Sequence, residues 1–173
     1  MIEEAGASQV RLPDLQFEAR LTVRGASREA RLITWGGGHT PSDLVLYLPS
    51  ERLLFAGDLI FNRCHASIHF GDIAEWLRIL DEMDHLNIAI LAPGHGDVAT
   101  SAAIGEQRAY LRALLAATSA AIESGQTMDE AAATRLPEEY RDWGFASGYA
   151  QNIRALYARK ESGGDDGGQE AIT

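Results

Sequence analysis

The sequence is short of several features, and each shortage argues against a class of protein. Its 173 residues include a single cysteine, Cys64, which excludes an internal disulfide and a zinc site made of cysteine thiolates. It has no run of about 18 apolar residues, which a membrane-spanning helix needs. Its 15 lysines and arginines stand against 25 aspartates and glutamates, a formal net charge of −10. Charge repulsion therefore argues against nucleic acid and anionic membranes as partners.

The two ends of the sequence differ from its middle. The first residues lack the basic segment and apolar run of a signal peptide, so we expect a cytoplasmic location. Residues 161–173 are acidic and rich in glycine, which predicts a disordered tail. With residues 1–14 as an N-terminal segment, residues 15–160 form one predicted domain, long enough to bury a sizeable core.

Two predicted hairpins open this domain. Residues 17–25 and 28–36 alternate apolar and polar side chains, which is typical of strands with one buried face. Residues 43–49 and 52–57 form a second, more apolar pair, and a last short strand over 88–92 precedes Pro93.

Helices dominate the rest of the chain. Asp72 is a predicted N-cap for a helix over 72–86, and the longest helix, over 102–124, stops at Gly125. A capping box at Thr127 begins a short helix that Pro137 ends, and a last helix covers 147–160. This order favours a layered α/β or α+β fold over a β-barrel.

Three residues at predicted strand ends have side chains that bind metals. His39 lies in a glycine-rich turn, Asp58 ends the second hairpin, and His95 stands between two glycines. Each alone is more typical of a turn or a helix cap. Together, two imidazoles and a carboxylate are a ligand set for zinc, and also for iron or manganese. The combination predicts a metal site where the strand ends meet.

The segments GHTPSD at 38–43, AGD at 56–58 and PGHG at 93–96 follow one another in an order that resembles the metallo-β-lactamase-fold hydrolase superfamily. The resemblance implies an α/β fold with αββα layers and one or two metal ions at one edge of the sheets. It implies that His39 binds the first metal, that Asp58 bridges both and that His95 binds the second. The implied reaction is hydrolysis of a small-molecule ester, thioester, lactone or amide by metal-activated water.

The family's His-x-His-x-Asp-His segment has no counterpart here, since no histidine precedes His39. We therefore expect the C-terminal portion of such a hydrolase, an incomplete half with a mixed sheet and flanking helices, weak or inactive by itself. Two alternatives stay open. In the first, the chain is a half-domain that pairs either with a missing N-terminal half or with a second copy through the apolar strand at 43–49. In the second, it is a non-catalytic binding module.

The segment after Asp58 supplies further candidates. The resemblance implies that this loop faces the active site, so Asn62 and His65 are predicted to contact substrate or support the metals. The alternative is that His65 and the nearby His69 are exposed polar residues. The aromatic run at 140–145 is interpreted as core, with a substrate pocket or a subunit contact as the alternative.

Overall fold

The structure, a computed structural model, describes residues 12–161 and contains one five-stranded sheet with the strand order β1-β2-β3-β4-β5. The first four strands pair in antiparallel fashion, and β5 pairs in parallel with β4. The predicted mixed sheet of an α/β fold is therefore confirmed. The strands are β1 Arg20–Arg24, β2 Glu29–Ile33, β3 Val45–Leu48, β4 Leu53–Phe61 and β5 Ile90–His95.

Four helices and a single 3-10 turn complete the fold of the described residues. They are α1 Ile73–Asp84, α2 Ala102–Glu123, α3 Met128–Ala132, the 3-10 turn Glu138–Tyr140, and α4 Gly148–Glu161.

Side-chain caps define where two of the helices begin. The Asp72 carboxylate accepts a hydrogen bond from the Glu75 amide at 3.1 Å, and Thr127 and Glu130 form the expected capping box. The prediction that Pro137 ends α3 was wrong. The helix stops at Ala132. The Thr134 hydroxyl donates to the Glu130 carbonyl, which would accept a backbone amide if the helix continued.

Two strands run further than predicted. β4 does not end at Gly57 but continues to Phe61, because the left-handed backbone of Gly57, with φ 53°, shifts the register without breaking the strand. β5 passes through Pro93 and ends at His95, which pairs with Phe61. These extensions bring the two strand ends side by side.

The sheet has one buried and one open face. On the buried face, Ile33 pairs with Val45 and Tyr47 pairs with Leu54, and these residues join the helices in one hydrophobic cluster. The opposite face is also apolar, although none of its side chains is buried. Its members are Leu21, Val23, Ala30, Leu32, Leu46, Leu48, Leu53, Phe55, Ile90 and Ala92. An antiparallel face in contact with water normally carries polar residues.

The predicted tail falls outside the described residues except for Glu161, which ends α4. Within residues 12–161, no helix has both the length and the apolar character that crossing a bilayer demands.

Candidate metal centre

The parallel ends of β4 and β5 place Asp58 next to His95. A Cβ atom added to Gly94 would lie 2.0 Å from Asp58 Oδ1 and 2.8 Å from the Gly57 backbone. Only a glycine at position 94 allows the two strands to approach so closely. A glycine at position 94 is therefore needed by the packing of the two strand ends.

The three predicted ligands lie together. His95 Nε2 is 3.5 Å from Asp58 Oδ1, and His39 Nδ1 is 4.0 Å from Asp58 Oδ2. A tetrahedral zinc ion with bonds of about 2.0–2.2 Å separates its donor atoms by roughly 3.3–3.6 Å. The His95–Asp58 distance matches this spacing, and the His39–Asp58 distance is slightly longer. Each imidazole thus faces a different oxygen of one carboxylate.

The donors fit part of a metal site. The Nδ1 atom of His39 is buried and has no hydrogen-bond partner among the described residues, which fits a nitrogen that would bind a metal. However, no cluster of three or more histidine, cysteine, aspartate or glutamate side chains encloses a single cation anywhere in residues 12–161. The arrangement is one carboxylate with an imidazole nitrogen near each of its two oxygens.

Asp43 organises the loop that carries His39. One carboxylate oxygen accepts hydrogen bonds from the backbone amides of Gly38, His39 and Thr40 at 2.7, 2.8 and 3.1 Å, and the other accepts from the Thr40 hydroxyl at 2.7 Å. The sequence interpretation gave Asp43 no role. The available signal was its position at the end of a His-Thr-Pro-Ser-Asp turn, where an aspartate side chain satisfies preceding amides.

Aromatic packing fixes the two imidazoles. The His39 ring lies 5.5 Å from the Phe61 ring and 5.3 Å from the Trp76 ring. The His95 ring stacks on the same Phe61 ring at 4.8 Å, and Phe145 meets it edge-on at 5.2 Å. Trp76 is itself held by a hydrogen bond to a backbone carbonyl of β4. The imidazoles therefore have little freedom to turn away from Asp58.

A cavity of about 360 Å³ opens over these ligands, within the size range of small-molecule sites. Its polar lining includes Ser67, Ser147 and Gln151, and its apolar lining includes the phenyl rings of Phe61, Phe70 and Phe145. The cavity therefore combines hydrogen-bonding groups with a wide apolar wall.

His65 also borders the cavity, but the alternative that its side chain is exposed was wrong: the residue is 2% exposed. The Asn152 amide donates to the Ala66 carbonyl at 2.6 Å and to the Tyr110 hydroxyl at 3.2 Å. The Tyr110 hydroxyl lies at hydrogen-bond distance from His65 Nδ1, 3.0 Å away. This hydrogen-bond network ties the buried His65 ring to α2 and α4.

Burial lowers the pKa of His65 below its ordinary value, and the backbone carbonyl of Tyr140 opposes this in part. His65 is therefore a neutral, buried group at neutral pH.

Burial also disfavours the charged form of Cys64. It raises the pKa of the Cys64 thiol, which argues against a thiolate nucleophile.

The remaining sequence candidates lie elsewhere. The Asn62 side chain donates to the Asp97 carbonyl at 2.8 Å and so holds the loop that follows His95. Its contact with substrate stays a prediction. His69 is exposed, as the alternative for that residue stated. Within the run 140–145, Trp143 packs on Tyr110 and only Phe145 lines the cavity.

The fold and the site define an α/β domain with a histidine–aspartate cluster at one sheet edge. The family model of the metallo-beta-lactamase superfamily matches residues 5–95, and the chain belongs to that superfamily. It is 30% identical over 91 residues to a metallo-beta-lactamase type 2 from Bacteroides fragilis, a match that covers 50% of this chain and 36% of that protein. It is 36% identical over 61 residues to a beta-lactamase-like protein 2 homolog from Caenorhabditis elegans, covering 35% and 20% respectively.

Solved structures share the fold. A metallo-beta-lactamase family protein from Thermus thermophilus matches with a TM-score of 0.64 and 21% identity, over 88% of this chain and 50% of that one. A stereoselective inverting sec-alkylsulfatase from Pseudomonas sp. matches with a TM-score of 0.64 and 20% identity, over 91% and 28%. The chain thus spans half or less of the length of each of these four proteins.

Proposed function

We propose that this chain provides part of the active site of a metal-dependent hydrolase, with His39, Asp58 and His95 as metal ligands. The observation that supports this most directly is the position of the Asp58 carboxylate, which has one imidazole nitrogen facing each of its oxygens. Two neutral imidazoles and a carboxylate suit zinc, and also iron or manganese. Superfamily membership favours the same class of reaction.

A bound divalent ion would supply Lewis acidity and an activated water for attack on a carbonyl. The residues around the ligands have separate tasks. Asp43 keeps the His39 loop in its bent shape, and Phe61 and Trp76 hold the imidazole planes. Ser67 and Gln151 offer hydrogen bonds to the polar part of a small ester, thioester, lactone or amide in the cavity.

The expected metal affinity is low. Each side of Asp58 offers one imidazole and one carboxylate oxygen, whereas a catalytic zinc site normally has three protein ligands. Each missing ligand leaves the cation undercoordinated, so we expect weak binding and weak turnover by the chain alone.

Metal content and hydrolysis test this proposal. We expect the purified chain to bind zinc and to hydrolyse a thioester or a lactone slowly, with the activity removed by a chelator. Asp58→Asn should abolish both properties, because an amide is a poor bridging ligand. Asp97→Asn makes the same change on an exposed residue beside the site and should retain both. Equal zinc binding by the two variants would refute the proposal.

The apolar open face of the sheet favours a second candidate, a module that associates through this face with a second copy. Phe55 and Ile90 are 43% and 46% exposed there, and an apolar patch of this extent is typical of an interaction surface. We expect a concentration-dependent dimer in sedimentation that Phe55→Glu converts to monomer, while Ala116→Glu, at an exposed site on helix α2, leaves it intact. A monomer at every concentration would refute this candidate.

A further inference from the structure

Phe145 combines two unfavourable properties. Its backbone is left-handed, with φ 60°, a conformation that strains any bulky side chain, and the residue is 55% exposed to solvent. A ring so exposed contributes little to the core. Strain of this kind persists where the surrounding structure imposes it, and such outliers concentrate at functional sites.

The neighbouring backbone imposes this conformation. The amide of Gly144 donates to the Arg63 carbonyl and the amide of His65 donates to the Gly144 carbonyl, both at 2.9 Å, so the chain before Phe145 is tied to the loop after β4. The chain after it turns at once into α4, where the Gly148 amide donates to the Phe145 carbonyl at 2.7 Å. A glycine would adopt the same turn without strain.

The ring lies where a ligand would meet it. It makes a T-shaped contact with the His95 ring at 5.2 Å and lines the cavity, together with Phe70, which is 78% exposed. Asp58 and His95 lie in the same cavity. An apolar group bound between the two phenyl rings would thus have its polar end near the candidate metal ligands.

We propose that Phe145, with Phe70, binds the apolar acyl or aryl part of the substrate, and that Phe145 is kept in a strained turn for this contact. The link to hydrolysis rests on the proposed function, but binding of the apolar group does not require a metal.

A pair of glycine variants separates strain from function. Phe145→Gly relieves the left-handed strain and removes the ring, whereas Arg52→Gly relieves similar strain, at φ 52°, on the β3–β4 turn away from the cavity. We expect both variants to unfold at a midpoint about 1–3 °C above that of the unmodified chain. A midpoint for Phe145→Gly below that of the unmodified chain would mean that the ring is a packing residue, and would overturn the proposal.

Binding of straight-chain amides, from propanamide to hexanamide, tests the ligand class in the presence of a chelator. We expect the affinity, measured by NMR titration, to rise about two- to fourfold per added methylene, because each buried methylene leaves water. Arg52→Gly should keep this increase, and Phe145→Gly should lose most of it. The absence of a chain-length dependence in the unmodified chain, or its full retention in Phe145→Gly, would overturn the proposal. Because no metal is present, failure of hydrolysis leaves this test unaffected.

Discussion

Replacing Gly94 with alanine tests whether the close approach of β4 and β5 builds the site. The new Cβ would lie 2.0 Å from Asp58 Oδ1 and 2.8 Å from the carbonyl of Gly57, so both the carboxylate and the strand must move. Overpacking of this kind costs about 1–3 kcal/mol. For a chain of this size, thermal unfolding followed by circular dichroism should show a midpoint lower by roughly 2–12 °C. Zinc affinity should fall as well, because Asp58 leaves its position between the imidazoles.

Gly105→Ala is the matched control. A Cβ at this exposed position in α2 meets no atom within 4 Å, so alanine should stabilise the helix by about 0.5–1 kcal/mol. If Gly94→Ala were as stable as the unmodified chain and bound zinc equally well, the argument that a close glycine contact positions Asp58 would be refuted.

Two further changes probe the supports of the site. Asp43→Ala removes the acceptor of three backbone amides and should lower the free energy of unfolding by about 2–4 kcal/mol in urea, with a smaller loss for Asp43→Asn, which keeps one oxygen. A loss below about 0.5 kcal/mol for alanine would contradict this role. Because burial lowers the pKa of His65, the unfolded chain takes up the proton first, and stability should fall as the pH drops through about 6.5 and below. Urea unfolding at pH 8 and pH 5.5 should show this loss, and His65→Gln should lack that part of it; an identical pH dependence in both proteins would contradict the assignment.

Local signals in the sequence predicted much of the fold. Asp72 and the Thr127–Glu130 pair marked helix starts because the hydrogen bonds that cap a helix involve residues three apart. The alternation of apolar and polar residues predicted both hairpins, because this pattern also involves residues that are close together in the sequence. The strand ends were misjudged at Gly57 and Pro93, since the parallel pairing that carries the strands past these residues joins distant segments.

The surroundings of the candidate site were harder to predict. His65 is buried by Tyr110 on α2 and by contacts that involve Asn152 on α4, partners that lie 45 residues and more away in sequence. The role of Phe145 depends on a backbone conformation that its residue type disfavours. By contrast, His39, Asp58 and His95 were predicted as a group because each follows a glycine and their order along the chain resembles one family's motifs, which are both visible in the sequence. Their role as metal ligands stays a prediction.

The most direct test of that role is anomalous diffraction at the zinc edge from crystals grown with zinc. We predict a peak about 2.0–2.2 Å from an Asp58 carboxylate oxygen and from an imidazole nitrogen of His39 or His95. A structure with zinc bound only at other residues, or with the three side chains unchanged and no peak between them at saturating zinc, would contradict the metal-ligand assignment.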